Sequence, residues 1–211
     1  FWCQTRPETV NKKRLSILKD MGCARISFGL EHGNEEFRKK HLNRMMSNSV
    51  ITKALKLVSS FEIPFSVNNI IGFPYETREL VFDTIELSRS LPDETITGGA
   101  YIFIPYHGTP LRQMAIDNKY IDPDLICTES SNTSGSSLLR MPQFPSDEID
   151  SFMKVFSFYV KFPKNRWGEI EIARKNDAEG KSVFDNLRKE YSENYINPTP
   201  VTKQFIRGWT S

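Results

Sequence analysis

Cysteine is scarce in this chain: Cys3, Cys23 and Cys127 are its three thiols, and they lie far apart in sequence. An odd count at such spacings supplies neither a disulfide framework nor a metal-ligand pattern. Each thiol reads as a small apolar residue in a reducing compartment, so a cytoplasmic location is expected. Histidine is as sparse, and His32, His41 and His107 are too scattered to define a metal centre. Neither sign of charge dominates. With 28 basic against 26 acidic residues the net charge is +2, which makes no case for nucleic acid or an anionic membrane as partner. No apolar run approaches the length of a membrane span, and the start carries no secretory signal. A glycine-rich phosphate loop and a Ser–His–Asp order are missing as well. The first residue is Phe1, already inside an extended run, so the chain is expected to be a fragment of something longer.

What is present is enough apolar material, 38% of 211 residues, for one sizeable core or one domain with an appendage. Three segments share one layout, an extended apolar run followed by glycine and polar residues and then a helical pattern. They run over residues 24–33, 65–77 and 100–111. Such repeats build a parallel sheet whose chemistry gathers at the carboxyl ends of the strands. A short strand at residues 1–4 and a helix over 8–21, with Val10, Ile17, Leu18 and Met21 as its apolar positions, precede the first of them. Gly22 is placed to end that helix. Further helices are expected from residue 48, with the stripe Ile51, Ala54, Leu55, Val58 and Phe61, over 78–90 with Thr77 as cap, and over 110–118. The strands 65–71 and 99–104 read as near-continuous apolar runs, as though layers covered both sheet faces. Right-handed crossovers then give either an open doubly wound sheet or part of a barrel.

After residue 118 the pattern breaks. Residues 128–137 form a polar run with little to bury, hence a mobile loop. Ser146 caps a helix whose apolar face is Phe152, Val155, Phe156, Tyr159 and Val160. The rest is largely helical, broken by Pro198 and Pro200 before a terminal cluster of Phe205, Ile206 and Trp209. The organisation expected is an α/β part over 1–118, an irregular polar segment over 119–145 and a helical extension over 146–211.

The candidate chemistry sits at the strand ends. Gly72 lets a backbone approach a ligand closely ahead of a helix amino end, although a plain strand-to-helix turn capped by Thr77 is the reading the residues alone favour. Glu31, flanked by Gly29 and Gly33, can accept paired hydrogen bonds from ribose hydroxyls or an ammonium, or it is a solvated loop glutamate. His107, Gly108 and Thr109 could offer backbone donors and acceptors to a ring ligand, or simply turn the chain. Arg44 could clamp a carboxylate, or be a surface charge.

In this order and spacing the segments resemble the later strands of the radical S-adenosylmethionine (radical SAM) superfamily, in the branch often fused to a cobalamin-binding domain. Ile26, Ser27, Phe28, Gly29, Leu30, Glu31, His32 and Gly33 are similar to the fourth-strand "iGiESG" pattern. Ile70, Ile71, Gly72, Phe73, Pro74, Tyr75, Glu76 and Thr77 resemble the fifth-strand "iiGlPgET". Residues 105–111 resemble the "PGTpL" after the sixth strand, and residues 2–7 would be the third strand.

The resemblance implies a partial (β/α) TIM-type barrel, strands three to six, binding S-adenosylmethionine. Glu31 would contact its ribose or amino end, and Arg44 its methionyl carboxylate. Ile70, with Gly72 two residues on, would line the adenine face, and the backbone near Tyr106 and His107 would meet the adenine edge. It also implies a 4Fe–4S cluster and an electron donor in the parent protein, and admits cobalamin as a further cofactor.

This chain departs from the family in four ways. The Cys-x3-Cys-x2-Cys motif and the Gly-Gly-Glu segment are absent, His32 replaces serine, and His107 replaces glycine. Without three thiolates no cluster is held. The chain is therefore expected to be inactive alone and its parent to be the enzyme, acting by reductive cleavage and radical chemistry on an unassigned substrate. Two other readings stay open: a non-enzymatic α/β module that binds a nucleotide or a partner, and a different α/β enzyme using Glu31 or Glu76 as base.

Overall fold

The computed structural model describes residues 1–92, 96–127 and 136–196. The terminal cluster around Phe205 and Trp209, Pro198 and Pro200, and most of the polar run after residue 127 lie outside the described residues. Contacts divide the chain into two units, Phe1–Met153 and Lys154–Ser211.

The first unit is built on four strands: β1 (Trp2–Thr5), β2 (Arg25–Glu31), β3 (Phe65–Ile71) and β4 (Ile96–Ile102). All pairings are parallel and the spatial order is the chain order, β1-β2-β3-β4. A doubly wound sheet reverses its strand order at a switch point, whereas consecutive order is how a barrel is laid down. The unit is a partial (β/α) barrel.

Helices α1 (Lys12–Asp20), α2 (Glu35–Leu42), α3 (Asn48–Ser59), α4 (Arg78–Arg89) and α5 (Pro110–Asp117) fill the connections. Local chemistry sets their starts. The side chains of Asn11, Asn34, Ser47 and Thr109 each accept the backbone N–H three residues on, meeting donors that a helix end leaves unpaired. The helix expected over 8–21 is therefore shorter. Residues Pro7–Thr9 form a 3-10 turn, Val10 and Asn11 are extended, and α1 starts only at Lys12. Its buried residue is Leu15, while Ile17 and Met21 are exposed. Thr77 does occupy the cap position of α4, but its hydroxyl bonds Glu79 Oε2 at 2.8 Å and makes no cap bond. The fourth strand begins earlier than expected and ends at Ile102, before Pro105.

The two sheet faces differ in chemistry, although residues on both are buried, Ser27 and Ser66 as well as Ile26 and Phe65. Ile26, Phe28 and Leu30 of β2 and Phe65 and Val67 of β3 join Leu15, Ile51, Leu55, Val58, Leu87 and Leu91 in one core, so α1, α3 and α4 share that face. The alternate residues carry short polar groups instead. Register sets Gln4 beside Ser27, Ser27 beside Ser66, Gly29 beside Asn68 and Ile70 beside Tyr101. Asn68 Nδ2 donates to Ser27 Oγ at 3.0 Å, and Ser66 Oγ lies 3.3 Å from the same oxygen. A β-strand puts successive side chains on opposite faces, so this is the face a closed barrel turns inward.

Helix α6 (Ser146–Lys161) crosses from the first unit into the second. Within the first unit, Arg78 Nη1 donates to Glu148 Oε1 at 2.9 Å and the Phe82 and Phe152 rings meet edge to face. The Asp150 carboxylate accepts from Ser136 Oγ at 2.6 Å and Ser137 N at 2.7 Å.

The second unit adds α7 (Trp167–Ala173) and α8 (Ala178–Tyr191). Asp177 caps α8 through Gly180 N, and Arg166 bridges Glu169 and Glu190. The Phe158 ring meets Phe184 and Tyr191. Among the described residues no helix is long and apolar enough to cross a membrane.

Candidate functional site

The carboxyl ends of β2, β3 and β4 surround a cleft of about 550 Å³. Glu31 comes from the end of β2, Arg44 from the link between α2 and α3, and Ile70 and Phe73 from β3 and its loop. Tyr101, Ile104 and Tyr106 come from β4 and the chain beyond it. This mixture of apolar walls with a few polar groups, at this size, is what small-molecule sites show.

Glu31 is presented by backbone strain. His32 N donates to Leu30 O at 2.9 Å, closing a three-residue γ-turn with Glu31 at its centre and a φ of 68° there. The side chain then folds back along its own strand, so that a Cβ on Gly29 would strike Glu31 Oε1. Arg44 meets it. The αL residue Asn43 ends α2, and Arg44 Nη2 donates to Glu31 Oε1 at 2.8 Å while Nη1 donates to Gly29 O at 3.1 Å. Burial pushes the Glu31 carboxyl above its ordinary range, with Arg44 and then Arg6 pulling it back. Among the described residues Glu31 Oε2 carries no bond and is the atom left for a ligand.

Tyr106 follows a second γ-turn, Tyr106 N to Ile104 O at 2.9 Å around Pro105, and is half-exposed at the cleft. Arg112, itself buried, holds this rim: Nη1 donates to Pro105 O at 3.0 Å, and Nη2 to Pro123 O and Leu125 O. The structure thus brings Glu31, Arg44, Ile70 and Tyr106 together.

It leaves two expected residues outside. Gly72, at φ +82°, donates its N–H to Glu76, and a Cβ on it would lie 3.1 Å from Ile149 Cγ2, so it faces protein instead of the cleft. His107 is exposed in the turn before α5 and is not a lining residue.

Sequence reasoning missed His41, Phe73 and Tyr101 as wall residues. For Tyr101 the signal was available, because register pairs it with Ile70 on the inward face. His41 is held toward its neutral form by burial, then by Lys40 and His32. Glu76, one candidate base, is fully buried, with Oε2 bound to the N–H groups of Gly72 and Phe73. A carboxylate so enclosed has no substrate to meet.

The donors do not fit an iron–sulfur cluster. Cys23 is buried with its thiol on Arg25 O, and Cys127 lies against Pro105 O. Burial and then Cys23 push the Cys3 thiol up, away from the thiolate a metal needs. Among the described residues no group of three His, Cys, Asp or Glu is placed to hold a metal ion.

Residues 2–88 match the model of the Radical SAM superfamily. That stretch is similar to the radical SAM superfamily. An uncharacterized methyltransferase of Pyrococcus horikoshii is 29% identical over 162 residues, covering 74% of this chain and 33% of that protein. A tRNA-2-methylthio-N(6)-dimethylallyladenosine synthase of Halalkalibacterium halodurans is 31% identical over 90 residues, 42% of this chain and 16% of that one. Among solved structures, the cobalamin-dependent S-adenosylmethionine radical enzyme OxsB aligns with a TM-score of 0.53 at 12% identity, over 99% of this chain and 37% of that chain. The likeness to that structure is one of fold. This chain spans about a third or less of the length of these curated relatives.

Proposed function

We propose that this chain forms the S-adenosylmethionine-holding side of a radical SAM enzyme, and that the cleft at the ends of β2, β3 and β4 is where the cofactor lies. The observation that carries this reading is the pairing of Glu31 with Arg44 on one wall, with Ile70 and Tyr106 on the others. The free Oε2 of Glu31 accepts from the ribose or the ammonium. The Arg44 guanidinium, a rigid fork of donors, shares itself between Glu31 and the ligand's carboxylate. Ile70 and Tyr106 cover the adenine. When bound beside a reduced cluster, S-adenosylmethionine supplies radical chemistry; the residues named here bind it, orient it and keep water away. The cluster's thiolates belong to a part of the protein outside this sequence.

Two of the sequence relatives bear names that describe delivery of a methyl or methylthio group, which makes group transfer of that kind one reaction class to assay. The likeness to a cobalamin-dependent enzyme rests on fold alone and brings no cobalamin site to these residues.

The test is anaerobic reconstitution of the full-length protein with iron and sulfide, followed by assay of S-adenosylmethionine cleavage. Release of 5′-deoxyadenosine that disappears in Glu31→Gln supports the reading. A reconstituted protein that neither binds nor cleaves S-adenosylmethionine overturns it, in favour of a non-enzymatic binding module.

A further inference from the structure

A buried pair of ionisable residues lies directly behind the cleft. His32 and Glu76 are both fully inaccessible, and His32 Nε2 stands 3.1 Å from Glu76 Oε1, out of line for a good hydrogen bond and, among the described residues, with no other partner for either atom. Every other polar atom of the pair is committed. His32 Nδ1 accepts from Asn34 N at 3.0 Å, its carbonyl oxygen accepts from Arg38 Nη1 at 2.5 Å, and its N–H closes the γ-turn onto Leu30 O. The ring stacks on Phe37 with centroids 4.2 Å apart and 18° between planes. On the other side, Glu76 Oε2 accepts from Gly72 N and, at 3.1 Å, from Phe73 N.

These contacts join two rims of the cleft. His32 follows Glu31, whose left-handed backbone is a strained state for a residue with a side chain, and such a state persists only where its surroundings over-determine it. Phe73, held by Glu76, is a wall of the same cleft. An imidazole whose Nδ1 accepts a hydrogen bond carries its proton on Nε2, which here faces a carboxylate.

We propose that His32, in its Nε2–H form and braced by Glu76, is a positioning residue that locks the γ-turn and so aims Glu31 into the cleft. This rests on the cleft being the cofactor site, and it explains why a ring with two nitrogens stands where the resemblance puts a serine. A hydroxyl cannot reach Asn34 N and Glu76 at once.

The test uses the full-length protein. In the wild type, nitrogen NMR of the His32 side chain is expected to show the Nε2–H tautomer; an Nδ1–H tautomer overturns the proposal. Hydrogen exchange over residues 30–34 is expected to speed at least tenfold in His32→Phe, which keeps the ring stack and loses both nitrogens. His32→Gln, whose amide can still meet Glu76, is expected to restore most of the protection. Affinity for S-adenosylhomocysteine, titrated anaerobically, should fall tenfold or more in His32→Phe and recover in His32→Gln. Unchanged exchange and affinity in a folded His32→Phe protein would refute the role. If His32→Phe fails to fold, His32→Gln and the wild-type tautomer decide. If the wild type itself binds no S-adenosylhomocysteine, the cofactor reading falls, while tautomer and exchange still judge the lock.

Discussion

At the scale of single residues the site turns on how Glu31 is held, and its ionisation has a consequence for stability. Burial raises the Glu31 carboxyl above its ordinary value of 4.5, so the native state binds that proton more tightly than the unfolded chain does. The stabilisation belongs to the protonated form. It is complete below the unfolded value and is lost as pH rises through the raised native one. Glu31→Gln has no such loss. The melting temperature of this variant relative to wild type should therefore increase from about pH 4 to about pH 7, as followed by circular dichroism; a difference that is flat or shrinks across that range would contradict the assignment. The neighbouring glycine gives a second readout. In Gly29→Ala the new methyl meets the movable ends of the Glu31 and Arg44 side chains, so the fold should survive while affinity for S-adenosylhomocysteine drops about tenfold, roughly 1.4 kcal/mol.

At the scale of elements, Gly33→Ala should behave in the opposite way. A Cβ there would run into the backbone of Asp83 and Thr84 in α4, which cannot swing aside. Overpacking of that kind costs about 1–3 kcal/mol, read as a lower urea midpoint. Much of this level was legible beforehand. The stripe of α3 buries Ile51, Leu55 and Val58 completely, because apolar spacing is a property of the helix itself. The misreadings have local causes. Val10 is apolar because it packs against the core from the turn ahead of α1, so periodicity alone started the helix too early, before the cap at Asn11. Thr77 has a capping side chain that found Glu79 first. Glu31, Arg44, Ile70 and Tyr106 converge because strand ends converge, and that much follows from order along the chain. The withdrawal of Gly72 behind Ile149, and the meeting of His32 with Glu76, depend on contacts between segments far apart in sequence, which no spacing encodes.

At the scale of the whole molecule, the proposed cofactor cleft comes without ligands for a cluster among the described residues. The three thiols of this chain are committed to strands and loops, so reconstitution of the 211-residue chain with iron and sulfide should leave well under one cluster per chain by iron and sulfide analysis. The full-length protein should hold a full complement; equal loading of both would show that the thiols rearrange to ligate. The strained turn at Glu31 bears on this larger scale too. A carboxylate kept in a left-handed backbone and half out of water works against the stability of the fold around it. Glycine adopts a positive φ without strain and carries no charge. Glu31→Gly should melt a few degrees higher at neutral pH and bind no S-adenosylmethionine. A laboratory selection that rewarded only heat resistance or expression would therefore drift toward such variants. Its thermostable winners would keep the barrel and lose the cofactor, unless ligand binding were screened in the same round.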